Sequence, residues 1–136
     1  VFDIIEIDER TQILWPPHCI QNSKNAEVLV PADLVSEHIQ KGCDPKFDSY
    51  SGFFDDGGAS TGLLDMLRSN KINTLIIYGL ATDYCVKATS MDAVNEGFKV
   101  ILVEDLCKGV APETTKTALK EMAQAGIKIL FSKDLL

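Results

Sequence analysis

Asn73-Thr74-Leu75-Ile76-Ile77-Tyr78 is a continuous apolar run of strand length, and Gly79 stops it. Such a run suits a strand buried on both faces of a parallel sheet. The same signals then repeat downstream. Residues 83–96 read as a helix that Gly97 is placed to cap, and Phe98-Lys99-Val100-Ile101-Leu102-Val103 makes the next strand. Pro112 opens a second helix through residue 125, closed by Gly126, with Ala118, Leu119, Met122 and Ala123 recurring at helical spacing. Ile127-Lys128-Ile129-Leu130-Phe131 is the last strand. Strand, helix, strand, helix, strand requires right-handed crossovers, so this half predicts an α/β fold with a mainly parallel sheet covered by helices.

The region upstream is less regular. Residues 34–40 read as a strand leading into Lys41-Gly42, and residues 61–69 as a short helix. Between them residues 42–58, rich in Asp, Gly, Ser and aromatics, form a long loop. Loops of that length in compact domains are more often functional than not. No internal repeat, low-complexity tract or linker interrupts the chain, which predicts one domain over residues 1–136.

Composition excludes several classes. Of the 136 residues 46% are apolar and 24% charged, ordinary for a soluble globular protein, and no apolar run is long enough for a membrane span. The formal charge of −7 argues against a nucleic-acid binder, which needs a basic face. The cysteines at 19, 43, 85 and 107 form no C-x-x-C pair and are too sparse for a disulfide scaffold. Reduced thiols in a cytoplasmic protein acting on small molecules are the expectation.

Ligands of open α/β sheets bind beyond the carboxyl ends of the strands. Gly79-Leu80-Ala81-Thr82-Asp83-Tyr84-Cys85 lies at such an end, with Cys85 expected in the first turn of the following helix. Backbone N–H groups and the helix dipole there stabilise a thiolate and could stabilise an oxyanion. Position alone does not separate this reading from a buried helix cysteine. Lys41, expected at a strand end, would favour a nearby thiolate, although a lone lysine is more often a solvated surface group. In Trp15-Pro16-Pro17-His18-Cys19 two prolines hold an aromatic and an imidazole in extended chain; a single histidine makes no metal site. The other histidine, His38, has a polar setting consistent with the surface. Asp48-Ser49-Tyr50-Ser51-Gly52-Phe53-Phe54 offers aromatic walls for a pocket, or simply loop packing.

Taken in order, Leu14-Trp15-Pro16-Pro17-His18-Cys19-Ile20-Gln21, Gln40-Lys41-Gly42, Asp48-Ser49-Tyr50-Ser51-Gly52-Phe53 and Gly79-Leu80-Ala81-Thr82-Asp83-Tyr84-Cys85-Val86-Lys87-Ala88-Thr89 closely resemble the nicotinamidases. These belong to the isochorismatase-like cysteine hydrolases. The resemblance implies a three-layer α/β/α fold and hydrolysis of nicotinamide to nicotinate and ammonia through a cysteine thioester, a reaction of NAD salvage. It matches Cys85 with the nucleophile and Lys41 with the catalytic lysine. Leu80-Ala81 matches a cis peptide beside an oxyanion hole formed by the N–H groups of Ala81 and Cys85. His18 matches one ligand of a divalent metal, zinc first, and Trp15 and Tyr50 match residues enclosing the pyridine ring. Another isochorismatase-like hydrolase, or a non-catalytic binding protein keeping the fold, are the alternatives.

The family's aspartate base and its remaining metal ligands lie in D-x-Q and D-x-H elements that this sequence does not contain. Asp3 and Asp8 stand too close to Trp15 to replace them. The expectation is therefore an N-terminally shortened form lacking the first strand of its sheet. Such a chain would leave apolar side chains uncovered, would favour aggregation or pairing with another copy, and would not turn over nicotinamide.

Overall fold

A computed structural model describes residues 3–7 and 10–135; Asp8 lies outside the described residues. The chain divides between His38 and Ile39 into two compact units.

The first unit opens with an antiparallel ribbon that the sequence reading did not foresee. Strands β1 (Ile4–Ile7) and β2 (Arg10–Ile13) pair with Ile4 opposite Ile13 and Ile7 opposite Arg10. Beyond Ile13 the unit is irregular, with single 3-10 turns at Lys24–Ala26 and Ala32–Leu34. The strand expected over 34–40 is absent: Ala32–Leu34 is one of those turns and residues 35–40 join no ladder. The reason is legible in the side chains. Ser36-Glu37-His38 interrupts the apolar pattern, leaving no face to bury, and an unpaired strand has no partner for its backbone groups.

The second unit carries a parallel sheet in the order β3-β4-β5, formed by Thr74–Leu80, Lys99–Lys108 and Lys128–Leu130. Helix α1 (Leu63–Ser69) precedes it, α2 (Lys87–Asn95) links β3 to β4, and α3 (Pro112–Gln124) links β4 to β5. Pro112 sits in the first turn of α3, where its missing N–H costs nothing. Gly97 and Gly126 follow the C-caps of α2 and α3 with φ of +87° and +89°, which favours glycine over any residue with a Cβ. The protein is thus α/β, with a parallel three-stranded sheet and helices. Among the described residues no helix is long and apolar enough to cross a membrane.

The core lies between sheet and helices. Leu102 and Met122 are fully buried, together with Phe53, Ala93 and Ala118, while Leu75, Ile77 and Ile129 pack against them from the sheet. Strand β4 is longer than expected. After a register shift between Ile77 and Gly79, its Cys107 and Lys108 pair with Gly79 and Leu80. Gly79 therefore does not stop β3; its φ of +125° carries the irregularity instead. Nor is β3 buried on both faces. It is an edge strand, and Ile76, Tyr78 and Leu80 remain 54, 58 and 72% exposed.

Two substitutions separate the faces. Leu102→Ala should cost about 3 kcal/mol, read from urea midpoints, because it opens a cavity in the core. Ile76→Lys should change stability by no more than about 0.5 kcal/mol yet reduce light scattering of the concentrated chain, since it breaks an exposed apolar edge.

Candidate active site

The cysteine turn begins where β3 ends. The Leu80–Ala81 peptide bond is cis, and residues Thr82–Val86 form a single π-helical turn before α2 starts at Lys87. At its start Ala81 O accepts from the N–H of Tyr84 at 3.1 Å and of Val86 at 3.0 Å, and at its end Thr82 O accepts from the N–H of Lys87. Half-buried Cys85 therefore sits in a widened turn ahead of the helix, and not in the first α-helical turn that periodicity suggested. The five-residue reach to Val86 is what displaces it.

Asp83, two positions earlier, is buried and turned away toward the start of α3. Its carboxylate accepts from Val110 N–H at 2.9 Å, from Ala111 N–H at 3.3 Å and from the Thr114 hydroxyl at 2.5 Å. Burial alone would raise its pKa. The hydrogen bonds from Thr114, Val110 and Ala111 outweigh that effect and hold the carboxyl below its ordinary value.

Lys41 emerges from irregular chain, not from the end of a strand. Its Nζ donates to the carbonyl oxygen of Ser49 and lies 3.5 Å from Cys85 Sγ, a contact across 44 positions of sequence. The loop between them is held by side-chain bonds to its neighbours. Thr89 Oγ1 on α2 accepts from Gly52 N–H at 2.9 Å, and the Thr61 hydroxyl donates to Gly52 O at 2.6 Å. A Cβ on Gly52 would stand 3.4 Å from both Leu63 and Thr89, so the backbone approaches α1 and α2 closely. Further along the loop Tyr50 lies against Tyr84 with ring centroids 5.8 Å apart, and its hydroxyl donates to Asp48 at 3.3 Å. Cys85, Lys41, Ala81 and Tyr50 thus belong to one unit.

Trp15 and His18 belong to the other unit, with ring centroids 6.4 Å apart and planes inclined by 71°. His18 is exposed, and its Nδ1 lies 2.7 Å from Pro16 O. That carbonyl selects the tautomer protonated at Nδ1 and leaves Nε2 as the nitrogen able to meet a cation. A metal needs more than this. Among the described residues no three His, Cys, Asp or Glu side chains converge, so they form no metal site around His18.

Three participants escaped the sequence reading: Asp83 with its partner Thr114, the Ser49 carbonyl beneath Lys41, and Tyr84 against Tyr50. Tyr84 alone carried a local signal, as an aromatic beside the cysteine. The others are defined by partners distant in sequence.

Residues 11–134 match a family model described as the isochorismatase domain. The chain is 44% identical over 134 residues to a nicotinamidase of Escherichia coli strain K12, an alignment covering 95% of this chain and 63% of that protein. The chain thus spans just under two thirds of that relative's length. It also superposes on a nicotinamidase/pyrazinamidase of Acinetobacter baumanii with a TM-score of 0.87 and 40% identity, covering 99% of this chain and 67% of the other. A pyrazinamidase of Pyrococcus horikoshii in complex with zinc gives a TM-score of 0.76 at 43% identity, covering 87% and 63%.

The Asp83 bonds make stability pH-dependent in a defined direction. The folded carboxyl titrates below its unfolded value of about 3.9, so its contribution is complete above about pH 4 and is lost as pH falls through the lower folded value. Asp83→Asn should destabilise the chain by about 1–3 kcal/mol at pH 7. It should also flatten the acid limb of stability against pH, which urea midpoints at pH 7 and pH 3 will read.

Proposed function

This chain belongs to the isochorismatase family, and from that premise we propose that its Cys85 is the nucleophile of an amidohydrolase converting nicotinamide to nicotinate and ammonia. One observation carries the reading: the 3.5 Å approach of Lys41 Nζ to Cys85 Sγ. An ammonium beside a thiol favours the thiolate, and the thiolate is the attacking species. The similarity to proteins described as nicotinamidases supports the choice of substrate.

The chemistry follows from these groups. The Cys85 thiolate attacks the amide carbonyl carbon and the C=O bond becomes an oxyanion. The N–H groups of Ala81 and Cys85 are the proposed donors to that oxyanion, and the Lys41 ammonium adds positive charge beside it. Collapse breaks the C–N bond, the nitrogen leaves as ammonia carrying the proton that the Cys85 thiol gave up, and a thioester remains on Cys85. Water then cleaves the thioester, returning the thiol and releasing nicotinate. Trp15 and Tyr50 are the proposed walls for the pyridine ring. No described carboxylate is assigned as the base. Asp83 is unsuited to it, because its oxygens already accept from Val110, Ala111 and Thr114.

A divalent metal, zinc first, is proposed with His18 Nε2 as one ligand. The described residues do not complete its coordination, so no step is routed through it. When bound, such an ion would supply a Lewis acid for a ring nitrogen. The remaining parts of the reading are a cytoplasmic protein of NAD salvage, supported by four free cysteines, and one domain over residues 1–136, supported by a family match that spans both units. Self-association through the exposed edge of β3 is proposed as well. The alternative is a fold-keeping protein that binds without catalysis, since among the described residues no three potential ligands converge and no base is assigned.

Ammonia release from nicotinamide distinguishes these readings. A protein that contains these 136 residues should release ammonia from nicotinamide above background with zinc present. In that protein Cys85→Ala should abolish turnover and Lys41→Met should lower kcat at least about 100-fold. Absence of turnover would favour the binding reading. Equilibrium dialysis of the 136-residue chain should also show zinc held no more tightly than a single exposed imidazole allows, and His18→Ala should remove even that.

A further inference from the structure

We propose that Asp83 is the positioning residue of the Cys85 turn, acting by fastening that turn to the N-terminal end of α3. The turn's own backbone bonds are local: Ala81 O accepts from the N–H groups of Tyr84 and Val86, and Thr82 O from that of Lys87. Such bonds close the turn on itself and do not tie it to the chain leaving β4. Asp83 supplies the missing constraint, because it sits inside the turn and binds groups 27, 28 and 31 positions downstream.

The fit around that carboxylate is close. Val110 N–H donates to both oxygens, at 2.9 and 3.2 Å, while Ala111 N–H and the Thr114 hydroxyl reach the second oxygen. A Cβ on Gly109 would stand 3.2 Å from Asp83 Oδ1 and 1.7 Å from Thr115 Oγ1, so this passage admits only glycine. Ala111 is the N-cap of α3, and its side chain carries no capping oxygen; Asp83 provides a carboxylate from outside the helix. The arrangement also answers an electrostatic difficulty. A carboxylate two residues from a thiol disfavours the thiolate, unless its charge is answered elsewhere. Here the hydrogen bonds and the positive end of α3 answer it, and the carboxylate faces the helix end while Lys41 faces the sulfur.

Loss of the Asp83 bonds should therefore release the turn and weaken the Lys41 contact with Cys85. A role for Asp83 as a bare negative charge predicts the opposite sign, because its removal would favour the thiolate. The inference deepens the proposed reading of Cys85 as a nucleophile, but its test reads thiol reactivity and not amide hydrolysis, so the two fail separately.

Iodoacetamide labelling of the Cys85 peptide in the whole chain, followed by mass spectrometry at pH 7, makes the measurement, with circular dichroism confirming the fold. Asp83→Asn should slow alkylation roughly threefold or more, the scale expected for losing an exposed charged contact. Lys41→Met should slow it similarly, and the double variant should be no slower than either alone, because both act through the same contact. Thr114→Val removes one bond and leaves Asp83 in place; it should slow labelling less, in the same direction, and it carries the test if Asp83→Asn fails to fold. Faster or unchanged labelling in a folded Asp83→Asn chain overturns the proposal. So does an additive double variant, or an unchanged Thr114→Val when that variant must stand alone.

Discussion

The pairing of β3 with β4 is the constraint on which the second unit depends. Strand β4 is hydrogen-bonded on both sides, and its Leu102 is fully buried against helices that approach from the connections flanking it. Because β3 and β4 are parallel, their carboxyl ends lie together, and the loops leaving them must share one edge of the sheet. The register shift at Gly79 makes that edge local and specific. It brings Gly79 and Leu80 beside Cys107 and Lys108, so the chain leaving β3 turns toward the chain leaving β4. Two loops far apart in sequence, the turn at Thr82–Val86 and the passage from Gly109 to Ala111, are then close enough for one carboxylate to join them.

What could be read from the sequence divides along the same line. Strand β3, the glycine stops of α2 and α3, and Pro112 at the start of α3 are decided by neighbours in the chain, so periodicity found them within a few residues. The extension of β4 through Glu104 to Lys108 was missed because three of its five residues are charged and Leu106 is exposed, so no apolar pattern shows; pairing with Gly79 and Leu80 makes it a strand. Residues 34–40 failed for the converse reason, since apolar content suggested a strand that no partner completes. The ribbon of β1 and β2 is a short alternation, too brief to stand out by period.

The candidate site follows this rule more strictly. Cys85 is visible at a strand-to-helix junction, yet position alone leaves it as ordinary as a core cysteine, and resemblance to known sequences was needed to single it out. The local signal read for Lys41, a strand end, is not formed, and its meaning lies in a 3.5 Å contact across 44 positions. Asp83 lies inside the motif but reads as one more acidic residue until its donors Val110 and Thr114 are seen. Chemistry assembled from loops is least legible where its contacts are longest in sequence.

The lysine and the thiol also share a support that Trp15 and His18 do not. Thr89 and Thr61 tie Gly52 to helices α1 and α2, and the Ser49 carbonyl just before it accepts from Lys41. Cys85 lies four positions before that same Thr89. Cys85 and Lys41 are therefore both tied to α2, the thiol along the chain and the lysine through the Ser49 carbonyl and the bond from Gly52 to Thr89. Trp15 and His18 stand in a unit built on a two-stranded ribbon and irregular chain, a far weaker frame. The contacts around Cys85 and Lys41 are thus made within the second unit, and under the proposed reading the reactivity of Cys85 answers to the bonds of Asp83, Lys41 and Thr89.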